Sequence, residues 1–371
     1  MSLWGDKRLE SGEWQFVSRV RNPWGIIPLT AGGQSLTERA KSYMEDVVLR
    51  AQGPDVKSRH HHYVPKSYMK AWSENARRVS ILDTTTGIVR LDLGMRSVCM
   101  EEDFYRVQGP DGKRHNRVEE VMAVFDAELL RVLNVFRGLQ PGADVAFDDF
   151  MSLGLMMMLQ RTRNVQTRRL MGAMADFWEQ QTLTQQRRKE LEGAVFALKA
   201  KSEFHVDMMS QAMWTGADNM TTRQLEIWDD PHGRFVTSDC PVQTPRGGYV
   251  TPDLLTTPRI WWPIGPTRAI CLARDTIGEK VVFRRATRTQ TDEVRTAMVR
   301  GRERFIIATR DQLSELPQGK MLRKRTQVHM RCEPWQHPGQ CRVAYRECYA
   351  PGPDIQVCEK HYPLRRPELH A

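Results

Sequence analysis

Three consecutive histidines, His60, His61 and His62, open the stretch "HHHYVP" and form the densest group of residues suited to chemistry near the start of the chain. In an extended segment side chains alternate between faces, so His60 and His62 would share one face and His61 would point to the other. A His-x-His pair on a strand suits a metal ion. An imidazole can also act as a base near neutral pH or satisfy a backbone hydrogen bond. The sequence therefore leaves His61 and His62 open as catalytic residues, metal ligands or structural residues.

Further polar residues with possible roles in catalysis lie far apart in the sequence. Glu119 is either a helix-capping residue or a carboxylate that orients a histidine or shares a metal with it. Gln160 and Arg161 follow the apolar run "LGLMMML" and mark either a helix leaving the core or a buried pair whose arginine holds a phosphate or a carboxylate. Asp239, in "TSDCP", follows a predicted strand and is a base, a metal ligand or a turn aspartate. The predicted catalytic set is His61, His62, Glu119, Gln160, Arg161 and Asp239.

The last forty residues form a separate candidate metal site, because four of the seven cysteines fall there. In a reducing compartment such a cluster is more typical of metal binding than of disulfides. The segment has no C-x-x-C pair, and its best local ligand pair is Cys358 with His361. A flexible Cys-rich tail is the alternative. The predicted zinc ligands are Cys341, Cys348, Cys358 and His361.

The charge balance favours an anionic partner. Lys and Arg together number 55 against 45 Asp and Glu, which gives a net charge of +10. The excess is rich in arginine, whose guanidinium forks suit phosphate, so nucleic acid or a nucleotide is the expected partner. A basic protein without such a partner is the alternative. The sequence shows no signal peptide and no apolar run long enough for a membrane span, so we expect no membrane association and a cytoplasmic location.

The spacing of apolar residues predicts the helices and strands that carry these candidate residues. Residues 78–94 and 103–114 predict hairpins with turns at "DTTTG" and "GPDG". Asn116 and Glu119 mark the start of a helix, and a second helix is expected to begin near Asp148 or Asp149 and to run through the apolar segment. Further helices are expected over 183–215. Residues 224–242 predict another hairpin, with "DDPHG" as its turn, followed by more strands and a helix.

Strands followed by helices and then strands indicate an α+β fold rather than alternating βαβ units. We expect strands at both ends of the main domain, around a central helical block, and a small C-terminal Cys/His-rich appendage. The predicted divisions are 1–57 as an N-terminal extension with a helix, 58–314 as the main domain, and 315–371 as a basic tail that could bind zinc.

Five motifs follow one another along the chain: "HHYVPKSYMKAW" at 61–72, "EEDFY" at 101–105, "LQRTR" at 159–163, "RFVTSDCPV" at 234–242 and "WWPIGP" at 261–266. In this order they resemble the motifs of the domain of unknown function 4238 family. The third and fourth resemble the family's Gln-Arg-Thr segment and its F-x-T-S-D-N-P. Cys240 stands where that family usually has Asn, and Met69 where it usually has Leu. The resemblance implies a shared fold and a mainly bacterial membership, but no particular activity.

Imidazole, carboxylate and guanidinium groups together suit hydrolysis of a phosphate ester. We therefore expect a metal-assisted hydrolase or nuclease that acts on a phosphate-bearing substrate, with a divalent metal in the main domain. The alternative is a non-catalytic protein of a mobile-element or defence locus that binds nucleic acid or protein. In that case the motif residues form a buried hydrogen-bond network that specifies the fold.

Overall fold

The computed structural model describes a central body, residues 59–108, 114–170, 222–245, 257–274 and 281–316. It also describes five isolated helical positions (172, 205, 209, 216 and 220) and the backbone of two outlying strand pairs, at 4–8 with 14–18 and at 324–334 with 341–350. The helix predicted in the N-terminal extension lies outside the described residues, and those predicted over 183–215 lie largely outside them.

Short strands make up most of the first half of the described structure. Strands β1 (Trp4–Arg8) and β2 (Trp14–Ser18) form the first outlying pair and precede the central body. The body then has β3 (His60–His62), helix α1 (Lys66–Met69), β4 (Arg78–Asp83), β5 (Ile88–Gly94), β6 (Met100–Glu102), β7 (Val107–Gln108) and β8 (Arg114–His115). Antiparallel pairing of β4 with β5 and of β7 with β8 confirms both predicted hairpins. Strand β3 pairs with β6.

Two helices form the central block. Helix α2 (Arg117–Gly138) buries an apolar stripe at helical spacing, formed by Met122, Phe125, Leu129, Val132 and Phe136. Asn116 occupies its N-cap position but makes no side-chain capping bond. Helix α3 (Phe147–Thr162) begins one residue before Asp148, and every residue from Phe150 to its end is buried. It lies in the hydrophobic core, as its apolar run predicts.

The helix breaks at Arg163 rather than continuing as one segment. Helical structure resumes at residues 165–170. The side chain of Asn164 accounts for the break: its Nδ2 donates to the carbonyl of Arg161, and its Oδ1 accepts from the N–H of Thr167. An amide that bonds to the backbone on both sides satisfies the end of one helix and the start of the next. As a result, Arg163 faces β3.

Strands return in the second half of the body. These elements are β9 (Gln224–Asp229), β10 (Thr237–Ser238), β11 (Arg259–Gly265), β12 (Arg268–Ala273), β13 (Val281–Arg285), helix α4 (Arg288–Gly301), β14 (Phe305–Ala308) and helix α5 (Arg310–Ser314). Two four-stranded sheets result, one in the order β10-β14-β4-β5 and the other in the order β11-β12-β9-β13. The fold is α+β, with strands on both sides of the helical block.

The predicted hairpin over 224–242 is wrong. Strand β9 pairs with β12 and β13, whereas β10 pairs with β14 in the other sheet. The turn at Asp230 is nevertheless present, because its carboxylate accepts from the N–H groups of His232 and Arg234. The chain leaves this turn and crosses between sheets, a choice that local alternation of residues cannot reveal.

In the C-terminal segment, β15 (Lys324–Pro334) and β16 (Cys341–Ala350) pair antiparallel. Cys341 and Cys348 belong to β16, for which the structure describes the strand alone, and Cys358 and His361 lie outside the described residues. Among the described helices, none combines the length and apolar character that a membrane crossing requires.

Candidate functional site

The strand pair β3–β6 places the histidines. His61 is fully buried opposite Glu101, and His62 is partly buried opposite Met100. The N–H of Tyr105 donates to Nδ1 of His61 at 2.9 Å, and the two rings stack. His61 therefore holds the segment that follows β6. Nε2 of His62 lies 3.1 Å from the carbonyl of Met95, to which it donates as the neutral imidazole.

His62 and Glu119 meet around one buried arginine. The side chain of Arg163 is 1% exposed and donates to Asp126, to the hydroxyl of Tyr105 and to the carbonyl of His62 at 2.6, 3.0 and 2.9 Å. Although burial opposes its charge, the charge of Asp126 and the hydrogen bonds raise the pKa of Arg163. We call Arg163, His62, Glu119, Asp126 and Tyr105 the Arg163 cluster.

Protonation in this cluster is shaped by burial. Burial, followed by the charge of nearby Lys66, lowers the pKa of His62 to about 4. Burial also raises the pKa of Glu119 to about 7, against the opposing charge of Arg163. One oxygen of Glu119, Oε2, is buried without a hydrogen-bond partner among the described residues. At neutral pH His62 is thus uncharged, and Glu119 titrates.

Asp239 lies outside the Arg163 cluster, and its carboxylate binds backbone N–H groups. Its carboxylate accepts from the N–H groups of Glu303, Arg304 and Phe305 at 2.9, 2.6 and 3.0 Å. Burial raises the pKa of Asp239 to about 6, although the three donors act in the opposite direction. The side chain is fully buried. Asp239 therefore shapes the 303–305 segment and has no exposed face for a substrate.

Gln160 and Arg161 are buried on α3. Nη1 of Arg161 donates to the carbonyl of Val242, close to the segment that carries Asp239. Both polar atoms of the Gln160 side chain are buried without a hydrogen-bond partner among the described residues. The predicted set thus divides into His62 and Glu119 in the Arg163 cluster, His61 bonded to Tyr105 beside it, Asp239 with Arg161, and the isolated amide of Gln160.

Residues of two motifs, together with residues that follow a third or are held by a fourth, line a cavity of about 660 Å³, which we call the motif cleft. Tyr63 comes from the histidine motif and Glu101 from "EEDFY"; Val165 follows "LQRTR", and the 303–305 segment is held by Asp239. The cleft is lined by Tyr63, Ile81, Asp83, Thr85, Thr86, Arg90, Leu93, Ser97, Met100, Glu101, Val165, Glu303, Arg304 and Phe305. His61 and Asp239 thus hold segments that wall this cavity without lining it themselves.

Three of the five charged residues that line the motif cleft are held in ion pairs. Asp83 binds Arg304, and Glu303 forms a two-bond ion pair with Arg169. For the two other charged lining residues, Glu101 and Arg90, the described residues supply no ion pair.

Burial raises the pKa of Glu101, the charge of Arg168 opposes that shift, and the charge of Glu303 adds to it. The Glu101 carboxylate thus lines the cleft with the charge of Arg168 nearby but with no hydrogen bond or ion pair to a described residue.

The match to known families fits this arrangement of motifs. The model of the family described as Protein of unknown function (DUF4238) matches residues 60–312, more than half of the chain. The chain belongs to the DUF4238 family. Its matched segment runs from the first residue of β3 into α5 and so includes both four-stranded sheets. No curated protein matches the chain, and no solved structure matches it either.

Several site residues escaped the sequence analysis. Arg163 was visible in "LQRTR", but only the break at Asn164 turns it toward β3. Glu101 was one of several carboxylates, and its register opposite His61 distinguishes it. No local pattern marks Glu303 or Arg304, which join the cleft through Asp239. Within the central body, no group of three or more His, Cys, Asp or Glu side chains could hold a metal ion.

Proposed function

We propose that this protein is a hydrolase of a phosphate-bearing substrate, a nucleotide or a nucleic acid, and that the motif cleft is its active site. The observation that carries the proposal is the Glu101 carboxylate, which lines the cavity without a hydrogen bond or ion pair in the described residues. Burial raises the pKa of this carboxylate above its ordinary value, which suits it to general acid–base catalysis.

The charge pattern supports an anionic substrate. Arg90 lines the cleft and is exposed, with no ion pair among the described residues. Arg304 is held by Asp83 at one edge of its guanidinium and remains about half exposed. In this scheme Glu101 removes a proton from the attacking water, and Arg90 offsets the charge that develops on the phosphoryl oxygens.

The catalytic set from the sequence takes different roles in this proposal. His61 and Asp239 act as positioning residues, because their hydrogen bonds hold the segments that carry Tyr105 and Glu303. The Arg163 cluster lies behind β3 and supports that strand through the carbonyl of His62. Glu101 replaces Glu119 as the acid–base group because it lines the cavity.

The bound metal ions and the cellular location in this proposal rest mainly on the sequence. A divalent ion in the cleft would need ligands from the substrate in addition to the carboxylates, since the described residues lack a three-ligand group. The zinc site proposed for Cys341, Cys348, Cys358 and His361 rests on their clustering in the tail. A cytoplasmic location fits the lack of a membrane-crossing helix among the described residues.

The test compares two adjacent glutamates. Glu101→Gln should lower the hydrolysis rate by roughly 10²–10⁴-fold, the usual contribution of a general acid or base. Glu102→Gln is the matched control, since Glu102 is exposed and pairs with Arg59 rather than lining the cleft. Hydrolysis of nucleotides, of single- and double-stranded nucleic acid and of a phosphodiester reporter is measured with and without divalent metal. Equal rates for the two variants would rule out Glu101 as the acid–base group.

The second candidate function is binding without chemistry, as part of a mobile-element or defence system. It is favoured by the hydrogen bonds of His61, Arg163 and Asp239, which end largely on backbone atoms. Such a network specifies a fold without needing catalysis. Absence of hydrolysis for every substrate, together with nucleic-acid binding that survives Glu101→Gln, would favour this function.

A further inference from the structure

A second cavity, of about 570 Å³, lies apart from the motif cleft and shares no lining residue with it. Its walls come from the turn after α1, the C-terminal end of α2, the end of β9 and the β11–β12 hairpin. The charged residues that line it are Lys70, Arg137, Asp229, Asp230 and Arg268. We call it the Arg137 cavity.

Both carboxylates of the Arg137 cavity already have arginine partners. Asp229 binds Arg268 through two hydrogen bonds, at 2.6 and 2.9 Å. Asp230 is fully buried and binds Arg234 through two hydrogen bonds, both 2.9 Å long. Lys70 and Arg137 therefore remain as positive charges for which the described residues provide no carboxylate.

The guanidinium of Arg137 is hydrogen-bonded along one edge and has no partner among the described residues along the other. Its Nε donates to the carbonyl of Ile264 at 2.8 Å, which fixes the plane of the guanidinium. Its Nη2 is buried without a hydrogen-bond partner among the described residues. A buried guanidinium nitrogen without an acceptor is unfavourable, and an oxyanion in the cavity would satisfy it.

The C-terminal end of α2 would repel an anion unless it were neutralised, because the last carbonyls of a helix carry partial negative charge. Arg268 neutralises it: Nη1 donates to the carbonyls of Phe136, Arg137 and Leu139 at 3.1, 2.8 and 2.7 Å. The remaining field in the cavity is therefore set by Lys70 and Arg137.

We propose that the Arg137 cavity is an anion site that takes the terminal phosphate group of a small ligand, held by the free edge of Arg137 and by Lys70. Two surplus positive charges match a phosphate monoester dianion better than a single carboxylate. A guanidinium offers a phosphate two parallel hydrogen bonds, and lysine adds a mobile point charge. This site is independent of the hydrolase proposal, since the motif cleft lies elsewhere.

The test is a ³¹P NMR titration of the full chain with inorganic phosphate at constant ionic strength. We expect saturable binding that weakens by roughly tenfold or more in Arg137→Gln, which removes charge-assisted hydrogen bonds. Lys70→Gln should weaken it several-fold and cannot be confused with misfolding, since Lys70 is exposed. Near-ultraviolet circular dichroism checks that Arg137→Gln is folded, and if it is not, Lys70→Gln decides.

Two control variants separate this site from general surface charge and from the motif cleft. Arg77→Gln removes an exposed charge that lines neither cavity, and Arg90→Gln removes one from the motif cleft. Arg77→Gln should bind phosphate as the unmodified protein does. Arg90→Gln should keep the component of phosphate binding that Arg137→Gln loses, even if binding in the motif cleft is weakened. The proposal is overturned by an absence of saturable binding, by equal weakening in Arg77→Gln, by loss of binding in Arg90→Gln alone, or by acetate displacing phosphate at equal concentration.

Discussion

At the scale of single residues, the buried charged groups of this protein mostly organise backbone. Asp239 accepts three N–H groups from consecutive residues, and Arg163 donates to the carbonyl of His62. An asparagine at position 239 would keep one acceptor oxygen and lose the charge that strengthens all three bonds. Such a residue is needed for the fold whether or not the cleft is catalytic, so its presence in a motif does not by itself identify a catalytic group.

Glu119 gives a prediction about pH at this scale. Its pKa is 4.5 in the unfolded chain and about 7 in the folded protein, so the folded state binds this proton more tightly. The stability that the protonated group contributes is present below pH 4.5 and is lost as pH rises through 7. Glu119→Gln removes this loss. The free energy of unfolding of the variant, relative to that of the unmodified protein, should therefore rise by roughly 1–3 kcal/mol between pH 5 and pH 8.

Urea unfolding at pH 5, 6, 7 and 8 measures this difference. Glu120→Gln is the matched control, because it removes a carboxylate from the same first turn of α2. A Glu119→Gln effect that is constant over this range, or one that becomes less favourable with rising pH, would contradict burial as the cause of the raised pKa.

At the scale of elements, the caps of α4 and α5 are defined by side chains. Thr287 accepts from the N–H of Gln290 at 3.3 Å, and the Gln290 side chain accepts from the N–H of Thr287 at 2.9 Å. Thr309 and Gln312 repeat this arrangement on α5. Reciprocal bonds of this kind satisfy two backbone donors at the start of a helix.

Thr287→Ala should lower the free energy of unfolding by about 1 kcal/mol, the usual cost of losing an N-cap hydroxyl. Thr287→Ser, which keeps the hydroxyl, should lie close to the unmodified protein. Denaturant unfolding of the three proteins under identical conditions measures the difference. Equal stability of the alanine and serine variants would show that the hydroxyl does not stabilise α4.

At the scale of the whole molecule, the positive charge predicts how nucleic acid would bind. The chain carries ten more Lys and Arg than Asp and Glu. If these residues contact phosphates, binding releases counterions, and affinity should fall by roughly tenfold to a thousandfold between about 50 and 200 mM salt. Fluorescence anisotropy with a labelled oligonucleotide at four salt concentrations measures this slope. No binding at 50 mM salt, or an affinity independent of salt, would argue against a nucleic-acid partner.

Several features of the molecule follow from the sequence alone. The period of the apolar residues in α2 and the continuous apolar run of α3 determine which faces are buried, because burial of apolar surface dominates folding. The sequences "DTTTG" and "GPDG" predict two hairpins because their residues suit tight turns, and the flanking strands do pair. The α+β class and the family follow from the order of these elements and of the motifs.

Tertiary structure alone decides what the chemically capable residues do. His61, Gln160, Arg161 and Asp239 are all buried, whereas Glu101 lines a cavity. Whether a polar side chain bonds to its own backbone, to a distant segment or to solvent depends on contacts between residues far apart in the chain. The crossing of the chain between β9 and β10 and the meeting of Asp239 with residues 303–305 are of this kind. Local sequence carries no signal for such contacts, because their free energy exists only once both partners are in place.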